Sequence, residues 1–223
     1  EVIAALDVIT HNNTENVENG GNTLALGRKL VGYVIAADLI ELSSVNPGLD
    51  ADFRAKLREL LSKPFDTSTG KQNLRETHET RPNNWGTHAG ASRIAIAIYL
   101  DDKNELARAA AVFYGYLGNR PAYNNFNFDD DLSWQADPAN PVGINPVGAT
   151  KEGHSIDGAI PEDIRRGGPF QWPPLRTGYP WEALQGAVVQ AELLQRAGYP
   201  AWSWENNALL RAVQFLYSID WAP

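Results

Sequence analysis

The 223 residues contain no cysteine, so no disulfide staples this chain and no thiolate holds a metal. No apolar run reaches the roughly 18 residues that a membrane-spanning helix needs. A zinc HExxH, a phosphate-cradling GxxxxGK[ST] and a GxSxG nucleophile turn are all missing. A triple aspartate at 129–131 lacks the spacing and the glycine of a calcium loop and is expected to be a solvated turn.

The chain is hydrophobic at 43% of its positions and charged at 21%, ordinary values for a soluble globular protein. Its length suits one large domain or two small ones. A formal charge of −8 argues against a nucleic-acid backbone as partner. Arginine clusters at Arg165-Arg166 and around Arg176 leave an anionic sugar polymer open. The start at Glu1, without methionine or apolar leader, suggests a processed or trimmed segment, and a secreted or periplasmic origin fits it. Asn12-Asn13-Thr14 matches a glycosylation sequon.

Apolar spacing predicts a first clear helix from Thr23, capped by Asn22 or Thr23, after a polar loop over 11–22. Asn46-Pro47-Gly48 is expected to end it, and a second helix is expected over about 51–61 with Pro64 as its stop. Residues 66–82 read as a polar connection. The run after Trp85 alternates isoleucines as a strand would, but its length and alanines favour a buried helix. The next helix is capped by Asp101-Asp102 and closed by Gly118. Residues 119–179 are rich in Pro, Gly, Asn and aromatics and show little periodicity, which in a compact domain points to function. Two amphipathic helices close the chain. The fold class expected is all-α, helical hairpins around one core in a single domain over 1–223.

Three constellations can carry chemistry. In PNNW (82–85), Asn84 and His88 lie one turn apart on a shared helix face, while Asn83 or Asn84 equally suits a helix cap. In GHSIDGAIPEDIRRGG (153–168), one reading is a short helix begun by Asp157 and ended by Arg165 and Arg166. The other is a cleft wall bearing a base, His154, and a guanidinium that pairs with a carboxylate. In QWPPLRTGYPWEALQG (171–186), Tyr179 precedes Pro180 and a helix, flanked by Trp172 and Trp181, whose faces suit sugar rings or a core alike. His11 and His78 lie in polar stretches and are expected at the surface.

With PNNW, DGAIPEDIRR (157–166) and Tyr179 leading its helix, the chain resembles the alginate-lyase-like polysaccharide lyases over about residues 20–220. The resemblance implies an (α/α) toroid around a cleft for a uronic-acid polymer. It implies that Asn84 and Arg166 neutralise the substrate carboxylate and that Tyr179 stands near the scissile oxygen. Relatives read NNH where Trp85 stands here, so the base role passes to His88, His154 or Tyr179, with His154 slightly ahead of His88. Tyr179 lies further beyond Arg166 than in those relatives, so Arg165 or Arg176 can substitute. Asn83, Trp85, Arg165, Trp172, Arg176 and Trp181 are the expected substrate contacts. Because the chain stops soon after its last helix, the toroid is expected to be incomplete, completed by another chain or a missing segment.

Elimination removes the C5 proton of a 4-linked uronate and expels the oxygen at C4. Hydrogen bonds that neutralise the adjacent carboxylate stabilise the charge that spreads into it. A base takes the proton and an acid supplies the leaving oxygen. No metal or cofactor is required by this logic. Two rivals remain: an (α/α) glycoside hydrolase drawing on Asp157, Glu162 and Asp163, and a non-catalytic oligouronate-binding module. Which uronate is cut, alginate or glucuronan, is not fixed by the residues.

Overall fold

The computed structural model describes residues 1–11, 23–67 and 70–219. The sequon, the Asn22 cap, nearly all of the 11–22 loop and the chain end at Trp221-Ala222-Pro223 lie outside the described residues. The fold is mostly helical, as expected. Helices run over Val2–His11 (α1), Thr23–Leu39 (α2), Leu42–Val45 (α3) and Pro47–Ser62 (α4). A short hairpin, Phe65–Thr67 (β1) with Gly70–Gln72 (β2), is antiparallel with Asp66 opposite Lys71. Helices Leu74–Thr80 (α5), Asn84–Tyr99 (α6) and Lys103–Leu117 (α7) follow. Past an irregular stretch come a bridge of Thr150–Lys151 (β3) with His154–Ser155 (β4), and the single turn Pro161–Ile164 (α8). Tyr179–Arg196 (α9), a 3-10 turn at Ala201–Ser203 and Trp204–Ser218 (α10) complete the order.

Three expectations are corrected here. Asn46-Pro47-Gly48 starts a helix rather than ending one: the Asn46 side chain accepts the Leu49 N–H, and Pro47 sits in the first turn, where its missing N–H costs nothing. The polar connection 66–82 contains α5, nucleated by a capping box in which Asn73 and Glu76 satisfy each other's backbone. Helix α1 was not anticipated, because only Leu6 and Ile9 of its ten residues are buried and the apolar signal is thin. The caps at Asn83 and Asp102 are as expected, the first bonded by the Trp85 N–H and the second by the Glu105 N–H.

Helix α6 is buried from Gly86 to Ala97, which is why its sequence has no polar face. It divides the interior. Ala89, Ala95 and Ile96 pack with Leu26, Leu30, Phe53 and Leu57 of α2 and α4. Ile94 packs with Phe113, Trp134, Ile160, Leu184 and Leu216 on the other side. Its one deeply buried charge, Arg93, is fully enclosed and paired to Glu105 of α7 at 2.6 Å and Glu79 of α5 at 2.9 Å. Burial pushes the Glu105 carboxyl up, but Arg93 and Arg75 outweigh it and hold it below the ordinary range.

Helices α2, α6 and α9 lie side by side and run parallel. A Cβ on Gly27 of α2 would stand 2.8 Å from the Ala89 nitrogen, and one on Gly186 of α9 would stand 2.5 Å from the Thr87 carbonyl carbon. Only glycine permits approach that close. The direction follows from the bonds. Gly27 O accepts from the Ser92 hydroxyl, which itself accepts the Val31 N–H one turn on. Gln190, one turn past Gly186, donates to Thr87 O and faces Gly90. The three first turns therefore share one end of the molecule.

Candidate functional site

At that shared end a cleft of about 610 Å³ opens. Its walls include Arg81, Asn83, Asn127, Arg165, Arg166 and Tyr179. Asn83 is the cap of α6 and Tyr179 the first residue of α9, so adjacent parallel helices deliver both. The positive ends of both helix dipoles favour negative charge here, despite the negative chain as a whole.

The Arg166 guanidinium lies over the Tyr179 ring, 3.9 Å from its centroid. Arg166 is exposed. Arg165, its neighbour, is engaged instead with Glu162 and with Asp129 at 3.1 Å. Asp129 and Asp130 are exposed, and among the described residues no group of three His, Asp or Glu could hold a metal ion. Arg81, which sequence reasoning missed, stacks over Trp85 at 4.9 Å and donates to Gln72 at 2.8 Å. A position directly before PNNW was its available signal.

Behind this wall stands a second polar layer. Asn84 is buried; its backbone N–H is accepted by Asp163 Oδ1 at 3.2 Å, and its Nδ2 donates to Glu182 Oε2 at 3.0 Å. Glu182, also missed, lies three residues beyond Tyr179 and so on the same face of α9. It is paired with Arg28 of α2, which no local pattern could have revealed across 154 positions. Burial, with Glu162 adding and the Asn84 bond opposing, pushes the Asp163 carboxyl well above the ordinary range. Burial likewise raises Glu162 against the pull of Arg165.

His88 sits one turn after Asn84, buried, with its pKa lowered to about 4 by burial and then by the Arg28 charge, against the pull of Glu182. Its ring is neutral at neutral pH. His154 and Trp172 stack on one another, ring centroids 4.5 Å apart and planes 9° from parallel. Neither His88, His154 nor Trp172 is among the residues that line the cleft. Trp181 packs edge-on against Tyr217 at 5.8 Å, and Arg176 is exposed on the loop before α9.

Two local expectations fail. Asp157 does not begin a helix; it accepts the Gly148 N–H and pairs with Arg211 at 2.5 Å, while α8 starts at Pro161 and stops before Arg165. His78 is buried rather than at the surface, because the unforeseen α5 carries it inward beside Arg93. His11 is exposed, as expected, between Asp7 and Asp52.

A family model described as alginate lyase matches residues 9–120, half of the chain. The matched span carries α2, Arg81, the PNNW segment and all of α6. No curated protein and no solved structure matches the chain.

Proposed function

Because the chain belongs to the alginate lyase family, we propose that it cleaves a 4-linked uronic-acid polymer, alginate or glucuronan, by β-elimination. The observation that carries this reading is the contact of Arg166 with Tyr179 at the wall of a cleft that Asn83 lines, with Asn84 buried directly behind it. Arg166 and an amide of that pair bind the carboxylate of the residue to be cut. As the C5–H bond breaks, charge grows on that carboxylate and their hydrogen bonds strengthen. Tyr179 lines the cleft together with the carboxylates Asp129 and Glu162, both held by Arg165, and we assign Tyr179 both proton-transfer roles. In its deprotonated form it takes the C5 proton, the C4–O bond breaks as the C4–C5 double bond forms, and the phenol so made passes that proton to the leaving oxygen, which restores the phenolate. The neutral imidazole of His88 supports the lip from behind.

The engagement of the acidic side chains favours elimination over hydrolysis. Asp163 caps Asn84 and Asp157 is bound by Arg211, while the two carboxylates that line the cleft, Asp129 and Glu162, are both bound by Arg165. A glycosidase needs two carboxylates free to face the scissile bond. The parallel row α2, α6, α9 fits successive inner helices of an (α/α) toroid in one domain, and we assign it so. Among the described residues no helix is long and apolar enough to cross a membrane. A polymer substrate is met outside the cytoplasm, which supports a secreted or periplasmic site of action.

The test is incubation with polymannuronate, polyguluronate and glucuronan while following the ultraviolet absorbance of the unsaturated product. Tyr179→Phe is expected to abolish the rise. New reducing ends without absorbance would mean hydrolysis, and near-normal turnover by the variant would remove Tyr179 from its role.

A further inference from the structure

Two adjacent asparagines open α6, and their amides are spent differently. Asn84 is 1% exposed. Its Nδ2 donates to Glu182, and a carboxylate, which can only accept, fixes the amide in that sense. Glu182 is held in turn by Arg28, so the acceptor is anchored. The other end of the amide, Oδ1, is buried without a hydrogen-bond partner among the described residues. The amide nitrogen has a second N–H, but at 1% exposure it is enclosed, so a substrate carboxylate does not reach it while this arrangement stands.

Asn83 is the reverse case. Its Oδ1 accepts the Trp85 N–H at 3.0 Å, which caps the helix. That bond leaves Nδ2, an obligate donor, with no hydrogen bond among the described residues. Asn83 lines the cleft together with Arg166 and Tyr179. Anchoring one end of a planar amide aims the other, so the donor is oriented before substrate arrives.

We infer that Asn83, rather than Asn84, supplies the amide donor that meets the substrate carboxylate together with Arg166. Asn84 is then a positioning residue that ties α6 to α9 through Glu182. The inference rests on the lyase reading above and names a residue for it. No bond to Asn83 forms or breaks; its N–H contact shortens as charge builds on the carboxylate.

Asn83→Ser keeps a favoured cap and removes the amide donor, leaving only a hydroxyl on a shorter side chain, so its melting temperature stays close to that of the parent protein. Its kcat/KM on the preferred polymer is expected to fall about 100-fold, mostly in kcat, as for loss of one preorganised donor. On a methyl-esterified polymer, whose carboxyl carries no charge, the fall shrinks to about tenfold or less. Asn83→Asp also keeps the cap but opposes the substrate with like charge, and is expected to fall further. It carries the test alone should Asn83→Ser not fold. Parent-like activity in a folded Asn83→Ser overturns the inference and leaves the lyase reading standing. Should the parent protein bind oligouronates without cleaving them, Asn83→Asp must weaken that binding, measured by calorimetry, and unchanged binding overturns the inference. A parent that neither cleaves nor binds any uronate polymer overturns both.

Discussion

Asp163 and Asn84, 79 residues apart in the chain, meet where the Asn84 backbone N–H is held by the buried Asp163 carboxyl at 3.2 Å. The irregular segment after residue 153 thereby fastens the start of the central helix. Two stretches that stand out separately in the sequence are one structural joint.

The joint gives a pH signature. Burial raises the Asp163 pKa in the folded state, so the fold retains a proton that the unfolded chain has already released. Stability contributed by this group is thus present in acid and is lost as pH rises above about 4, the ordinary carboxylate value. Asp163→Asn cannot ionise and lacks that loss. Thermal melts from pH 4 to 8 are expected to show the variant gaining on the parent as pH rises, and a pH-independent difference would refute the account. Asp163→Ala, which deletes the acceptor, is expected to cost about 1 kcal/mol near pH 4, as other lost caps do, and less as pH rises, because it too lacks the titrating carboxyl.

His88 predicts the opposite slope on the acid side. Its folded pKa of about 4 lies below the ordinary 6.5, so the unfolded chain binds the proton first. Stability from keeping this ring neutral is present above 6.5 and drains away as pH falls toward 4, by roughly 3 kcal/mol at most. His88→Gln is expected to flatten that part of the acid-denaturation curve. Imidazole NMR titrating near 6.5 for this residue would show that the ring is not enclosed as described.

Close approach of α9 to α6 depends on Gly186. A methyl there would stand 2.5 Å from the Thr87 carbonyl carbon. Gly186→Ala is expected to cost about 1–3 kcal/mol and to push Tyr179 away from the α6 lip, so turnover falls more than melting temperature implies. Gly32→Ala, on an open face of α2, is the control and is expected to be neutral or to stabilise by up to about 1 kcal/mol. Equal effects in denaturant melts would mean that the helices yield freely.

Where a local rule governed, the sequence was readable. Asn83, Asp102 and Gly118 mark helix ends with side chains that act within three or four residues, and each does so in the fold. The Asn73–Glu76 box obeys the same rule, yet the polarity of the residues around it reads as loop. Glu182 was within reach too, one turn from Tyr179. What no spacing reveals is pairing at long range: Gly27 against Ala89, Arg28 with Glu182, or the burial of His78 on a helix whose polar residues look solvent-bound. In the site, the segments were found and the division of labour between Asn83 and Asn84 was not. Adjacent identical residues differ only in what the fold places beside them.

The helix that presents both asparagines is also the wall shared by two apolar clusters, with Ala89, Ala95 and Ile96 turned to one and Ile94 to the other. Neither half can come apart without stripping a side of that wall, so the molecule should melt in one step. The cleft at the start of that helix is therefore expected to be kept or lost with the whole fold.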